Sequence, residues 1–231
     1  LKVLAIITAR GGSKRIPKKN IKVFLGKPII QYSIEAALES QIFNEVMVST
    51  DDGEIASIAT QFGASVPFFR SQEASNDFAT TAQVIEEVLL EYQKQDKYFD
   101  YCCCIYPTAP FITSKVLETA FTLLQEKNAN SVIPVVQFSF PILRSLKINE
   151  QGLLNYNWPQ YATTRSQDLK PAYHDCGQFY FLNCKSFLST KMLFNDKTLP
   201  LLMSENQVQD IDTIEDWEIA EYKFSHFNKS L

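Results

Sequence analysis

An α/β fold with a mainly parallel sheet is what this sequence predicts, on three observations. Short apolar runs alternate with amphipathic helical stretches as far as Val136. Turn or capping residues stand at the changeovers. The 231 residues are 45% apolar and 13% aromatic, enough to fill a substantial core. Strands that alternate with helices need crossover connections, which make neighbouring strands parallel and cover the sheet on both faces.

Val3 to Ile7 is wholly apolar and reads as a buried strand, ended by Thr8-Ala9-Arg10-Gly11-Gly12. A cationic loop follows to Lys27, and Pro28 suits the first turn of a helix whose inner face is Ile30, Ile34, Ala37 and Leu38. Val46 to Ser49 is the second strand. Asp51-Asp52-Gly53 opens a helix bearing Ile55, Ile58, Ala59 and Phe62, and Gly63 stands where a left-handed stop is expected. Val66 to Phe69 reads as the third strand, Thr81 to Gln93 as a helix, and Tyr101 to Tyr106 as the fourth strand. A helix over Thr113 to Lys127 and a fifth strand over Val132 to Val136 follow.

The alternation then breaks. Residues 137–178 read as short strands about the Glu150-Gln151-Gly152 turn, followed by an irregular aromatic stretch. About forty residues make too small a core to stand alone, so this is an excursion inserted in one domain spanning 1–231. Strands at Gln178 to Leu182 and Leu199 to Met203 resume the pattern. A helix from Thr213 to Phe224 closes it, with Thr213 as N-cap and Asp216 three residues on.

Charge separates function classes. The chain has 22 Lys and Arg against 26 Asp and Glu, and a pI near 5.3 argues against nucleic-acid binding, which needs a basic face. Arg10, Lys14, Arg15, Lys18, Lys19, Lys22 and Lys27 nonetheless form a run of seven cations with no acid among them. A small anionic ligand is expected there. No apolar run spans a bilayer and the opening strand leads into cations rather than a cleavage site, so the expectation is a soluble, cytoplasmic protein. Five cysteines, three of them consecutive, form neither a disulfide framework nor a zinc spacing. Cys102 and Cys104 should point to one face of their strand and Cys103 to the other, as small buried hydrophobes. With only His174 and His226, a His-rich metal site is excluded, and a Ser-His-Asp triad would have to use one of them.

Arg10-Gly11-Gly12-Ser13-Lys14-Arg15-Ile16-Pro17-Lys18-Lys19-Asn20 follows the first strand directly. Paired glycines let backbone N–H groups approach a ligand, Ser13 adds a hydroxyl, and the cations neutralise phosphate. The carboxyl end of a parallel strand is where such sheets bind ligands. The Walker A and G-x-G-x-x-G spacings are both absent. Asp210 and Asp212 lie two apart, so extended backbone sends both carboxylates to one face while Ile211 points to the core. That makes a hard-oxygen site for Mg²⁺, set against the plainer reading that Asp212 supports the N-terminus of the next helix. Asp51 and Asp52 diverge, and a helix start explains them. Arg165 suits bidentate recognition of a carboxylate, and Tyr173, His174 and Gln178 suit hydroxyl and amide groups, with a buried polar network or a subunit contact as the alternative.

The Arg10 to Asn20 segment resembles the signature of the cytidylyltransferases that activate nonulosonic acids by joining CMP to sialic-acid-type sugars. The likeness continues through Ser49-Thr50-Asp51, Phe68-Phe69-Arg70, Tyr106-Pro107-Thr108-Ala109-Pro110 and Gln209-Asp210-Ile211-Asp212-Thr213. It implies a Rossmann-like sheet of the nucleotide-diphospho-sugar transferase type. It implies that Arg10, Gly11, Gly12, Ser13, Lys14, Lys19, Asn20, Arg70 and Thr81 bind CTP, with Arg10, Lys19 and Asp212 serving catalysis. Tyr106, Thr108, Arg165, Gln167, Tyr173, His174 and Gln178 fall at the sugar, and Asp210 and Asp212 at Mg²⁺ or Mn²⁺. Arg15, Lys18 and Lys22 stay unassigned, and Tyr106 departs from the glutamine of many sialate enzymes. The cluster from Thr164 to Tyr180 resembles most the branch acting on pseudaminic acid, a sugar of bacterial surface glycans. The same transfer to N-acetylneuraminate, legionaminate or 3-deoxy-octulosonate is the first alternative, and a non-catalytic nucleotide binder the second. Homodimers formed through the excursion are implied too.

Overall fold

The computed structural model describes residues 1–227. Its main sheet has seven strands: β1 (Val3–Thr8), β4 (Glu45–Ser49), β5 (Tyr101–Ile105), β6 (Ser131–Gln137), β9 (Tyr173–Asp175), β10 (Phe179–Asn183) and β11 (Thr198–Leu202). The order is β11-β6-β10-β5-β1-β4, with β9 paired to β6. β1 is parallel to β4 and β5, and β11 to β6. β10 is antiparallel to both of its neighbours, so the strand expected at Gln178 to Leu182 returns through the middle of the sheet in reverse. Two small ribbons, β2 (Val23–Phe24) with β3 (Lys27–Pro28) and β7 (Leu146–Ile148) with β8 (Leu154–Tyr156), lie outside it. Asn149 Oδ1 accepts from the Gln151 and Leu153 amides at the turn between β7 and β8, where Gly152 takes a φ of +78°.

The helices are α1 (Ile29–Glu39), α2 (Gly53–Gln61), α3 (Gln72–Ser75), α4 (Thr81–Gln93), α5 (Ser114–Glu126), α6 (Cys184–Thr190) and α7 (Ile214–Phe227). Local chemistry sets their ends. Asp52 caps α2 by accepting from the Glu54 and Ile55 amides, Thr80 and Gln83 form a capping box on α4, and Thr113 caps α5. Gly63 stops α2 at a φ of +92°. Pro28 precedes α1 as its N-cap rather than sitting in its first turn.

β1 runs between two parallel neighbours and is buried on both faces, as its unbroken apolar run requires. One face packs Ala5, Ile7, Cys103, Phe179 and Phe181 against α1, α2 and α5; the other packs Leu4, Ile6, Cys102, Cys104 and Tyr180 against α4 and α6. The predicted alternation of the three cysteines therefore holds. Two further expectations fail. Val66 to Phe69 forms no strand, because pairing beyond β4 is a single bridge from Met47 to Ser65 and Pro67 lacks the N–H to extend it. Leu38 is 41% exposed, and α1 turns Ala36 inward instead. No helix among the described residues is long and apolar enough to cross a membrane.

Candidate active site

A third cluster of buried side chains positions the chemistry. Ile16 of the cationic loop, Phe24 of β2, Ile29, Phe111, Ile211 and Trp217 pack together, with the Phe24 ring edge-on to Trp217, Tyr32 and Phe224. Ile16 and Ile211 both lie fully inside. Burying them in one cluster brings the loop beside the acidic pair, although nearly two hundred residues separate the two. Lys19 completes the join: its Nζ donates to the Ile211 carbonyl at 2.6 Å and lies 3.4 Å from Asp212 Oδ1, while Arg15 pairs with the same oxygen at 2.9 Å. Asp212 caps no helix. Thr213 does so, its Oγ1 accepting from the Asp216 amide while the Asp216 carboxylate accepts in return from the Thr213 amide. The Asp212 carboxylate is thereby left to the cations.

Above this junction a cavity of about 450 Å³ opens at the carboxyl ends of β1 and β5. Arg10, Ser13, Lys14, Lys19, Asn20, Arg70, Thr81, Tyr106, Thr108 and Asp212 line it, so ten of the residues singled out from sequence converge there. Arg15, previously unassigned, lines it too. Asn20 is buried and its Nδ2 donates to the Arg10 carbonyl at 2.8 Å, clamping the start of the loop. Arg70, 8% exposed, donates from Nε to Ser49 Oγ at 3.0 Å and from Nη2 to the Ser49 carbonyl. Burial pulls its guanidinium below the usual range against the opposing charge of Asp51. Tyr106 Oη lies 3.0 Å from Thr81 Oγ1, and burial pushes its phenol up.

The loop differs from expectation in which atoms it offers. The Gly11 amide is spent on Asp51 Oδ1 at 2.9 Å, and the Ser13 amide on the Gly11 carbonyl at 3.0 Å. Gly11 is required for packing: a Cβ there would lie 2.6 Å from Asp52 Oδ2. Gly12 alone faces open space. Side chains, more than amides, therefore present the charge. Other cations turn aside, Lys18 to Glu54, Lys27 to Glu35 and Lys22 over the Trp217 ring at 4.2 Å.

Asp210 is open to solvent along part of its length, but its carboxyl abuts Gly177, where a Cβ would come within 3.2 Å of it. Partial withdrawal from water, then the Asp212 charge, push that carboxyl up, with Lys19 opposing. Among the described residues no group of three or more His, Cys, Asp or Glu could enclose a metal. Two crowded carboxylates do fit Mg²⁺ or Mn²⁺, since Mg²⁺ draws its remaining ligands from water and phosphate.

The expected sugar residues are spread more widely. Gln178 is buried beside β5; its Nε2 donates to the Cys176 carbonyl at 3.2 Å, and its Oε1 has no partner among the described residues. Tyr173 and His174 sit on exposed β9, with His174 against Phe138 at 4.7 Å. Arg165 pairs weakly with Asp168, and Gln167 lines a separate hollow of about 430 Å³ on the excursion. Gln178 does not border the larger cavity, and neither does any of these four within one chain. Sequence reasoning missed Asp77 and Asn76, which line that cavity from the segment between Arg70 and Thr81.

Comparison with known proteins agrees with this geometry. Residues 4–178 match the family model described as cytidylyltransferase. The chain is 41% identical, over 98% of both lengths, to a pseudaminic acid cytidylyltransferase of Campylobacter jejuni. It is 34% identical to the CMP-N,N'-diacetyllegionaminic acid synthase of Legionella pneumophila, over 96% of this chain and 95% of that one. Among solved structures, a CMP:2-keto-3-deoxy-manno-octonic acid synthetase complexed with CTP superposes with a TM-score of 0.69 at 18% identity, covering 97% of this chain and 99% of that one. With a nucleotide-sized, cation-lined cavity at the carboxyl edge of its sheet, this chain belongs to the cytidylyltransferase family.

Proposed function

We propose that the enzyme transfers CMP from CTP to the anomeric hydroxyl of pseudaminic acid, releasing pyrophosphate. The observation that carries this reading is the Lys19 bridge, which brings the cations of the Arg10 to Asn20 loop against Asp212 at one cavity. The 41% identity to the Campylobacter jejuni enzyme over nearly the whole chain supports pseudaminate as the sugar, and the lower identity to the legionaminate enzyme ranks that acid second.

In the reaction the anomeric oxygen forms a bond to the α-phosphorus, the bond from that phosphorus to the bridging oxygen breaks, and the hydroxyl proton passes to solvent water. Positioning and charge neutralisation supply most of such catalysis. Arg10, Ser13, Lys14 and Lys19 bind the phosphates as charge moves toward the leaving pyrophosphate. Asn20 and Gly11 hold the loop that carries them, and Arg70, Thr81 and Gly12 complete the nucleotide site. Asp210 and Asp212 would hold Mg²⁺ or Mn²⁺, an ion that supplies neutralisation of phosphate charge when bound. Tyr106, Thr108 and Gln178 meet the sugar from this chain.

Arg165, Gln167, Tyr173 and His174 are assigned to a sugar site completed by a second copy. Phe140, Ile148, Leu153 and Leu154 leave the excursion with an apolar surface, which supports a homodimer formed through residues 137–178. Five free, buried cysteines favour a reducing, cytoplasmic setting. The test is product identification after incubation with CTP, Mg²⁺ and individual nine-carbon acids. CMP-pseudaminate with stoichiometric pyrophosphate is expected; no pyrophosphate with any acid, or preference for N-acetylneuraminate, refutes the assignment.

A further inference from the structure

Two cations facing the cavity are already answered from within the chain. Arg10 Nη1 lies 2.6 Å from Asp77 Oδ1, and the Lys14 ammonium is hydrogen-bonded to Asp77 Oδ2, so one carboxylate bridges both. Lys14 and then Arg10 hold that carboxyl below the usual range. Asp77 belongs to a strap, residues 71–80, which also contributes Ala74, Asn76 and Ala79 to the cavity wall. The strap is tied at both ends. Ser71 donates from its amide to Glu87 Oε1 at 3.0 Å, and Thr80 is locked in the α4 capping box. Its middle is not tied by burial: Asn76, Asp77 and Phe78 are exposed, Phe78 at 91%. The two cation contacts of Asp77 are what draw this middle to the loop.

We propose that Asp77 is a positioning residue that stands in for polyphosphate: it holds Arg10 and Lys14 toward the empty cavity and surrenders them when the β- and γ-phosphates arrive. The inference rests on the reading that this loop takes the triphosphate. A multiply charged anion reaching Arg10 and Lys14 meets a like charge already there, and one of the two must yield. Asp77 is the mobile partner, because its strap lacks apolar anchorage between Asn76 and Ala79. While bound, it keeps two long side chains ordered, which lowers the entropy lost when phosphate replaces it.

The experiment is calorimetric titration of wild type, Asp77→Asn, Lys14→Ala, Arg10→Ala and the Asp77→Asn, Lys14→Ala double variant with tripolyphosphate, CTP and CMP. Removing an exposed carboxylate that shares two ion pairs should tighten tripolyphosphate and CTP by about five-fold. CMP, which lacks the outer phosphates, should change by less than about two-fold, and the gain should shrink when Lys14 is absent, leaving the part that comes through Arg10. Pyrophosphate should inhibit Asp77→Asn more strongly by the same factor. A merely structural role would shift all three ligands together. If Lys14→Ala weakens tripolyphosphate but Asp77→Asn leaves it unchanged or weaker, the exchange is overturned while the loop assignment stands. If neither Lys14→Ala nor Arg10→Ala weakens CTP, the loop assignment fails and takes the inference with it. Hydrogen exchange on wild type needs no variant: tripolyphosphate should speed exchange at the Phe78 and Ala79 amides, and slower exchange there overturns the proposal.

Discussion

Replacing Gly11 by alanine puts the architecture of the loop to a quantitative test. The added Cβ would lie 2.6 Å from Asp52 Oδ2 and 2.9 Å from Asp52 Cβ, inside any tolerable contact. Asp52 cannot swing away freely, since its Oδ1 accepts from the Glu54 amide at 2.8 Å and the Ile55 amide at 3.0 Å and so caps α2. Losing that cap costs about 1 kcal/mol. Moving the glycine instead breaks its amide contact with Asp51 at 2.9 Å, a hydrogen bond of about the same worth. With some backbone displacement either route costs about 1–2 kcal/mol, or a melting point lower by about 2–8 °C for a chain of this size. Because Arg10 is the preceding residue, KM for CTP should rise as well. Gly12→Ala is the control: a Cβ there meets nothing within 4 Å, so melting should be unchanged while KM for CTP rises where the methyl faces ligand. Thermal unfolding with a pyrophosphate-release assay reads both. A Gly11→Ala enzyme that melts within about 1 °C of wild type with normal KM, or a Gly12→Ala enzyme equally destabilised, would refute the packing argument.

Further outcomes follow from the same geometry. Asp212→Ala should cut turnover by about a hundred-fold or more with melting unchanged, since Thr213 and Asp216 do the capping; near-normal product formation counts against Asp212 in catalysis. Asn20→Ala leaves the Arg10 carbonyl without its 2.8 Å donor and should cost about 1–3 kcal/mol together with a higher KM for CTP, read by denaturant titration and kinetics. Burial pushes the Cys104 and Cys176 thiols up to about 12, which leaves about one thiol in ten thousand ionised at pH 8. Mass spectrometry should therefore find native chains unalkylated at that pH and all five cysteines modified after denaturation; prompt labelling of the native protein would contradict the burial.

What could be read from the chain beforehand was mostly what neighbours in sequence decide. The unbroken run of β1, the Asp52 and Thr213 caps and the Gly63 stop all depend on residues within one or two turns, and each stands where it was expected. The direction of β10 was not legible, because some forty intervening residues can return a strand either way. The edge beyond β4 was misread since a β-branched and aromatic stretch carries strand propensity even where Pro67 interrupts pairing. In the site, residue types announced the phosphate cations and the acidic pair. Asp77 gave no local signal: it lies 67 residues from Arg10 in a segment whose polar composition resembles ordinary surface. The use of the Gly11 amide likewise depended on Asp51, forty residues away.

The ammonium of Lys19 and the carbonyl it grips are 192 residues apart along the chain. During synthesis the basic segment is made first and waits for its counterpart while 192 more residues are added. Only when α7 follows the acids out and seats Trp217 on Phe24 can the two halves close on each other. The basic segment thus stays without its counterpart until residues 211–217 have been made and folded, an ordering imposed by vectorial growth alone.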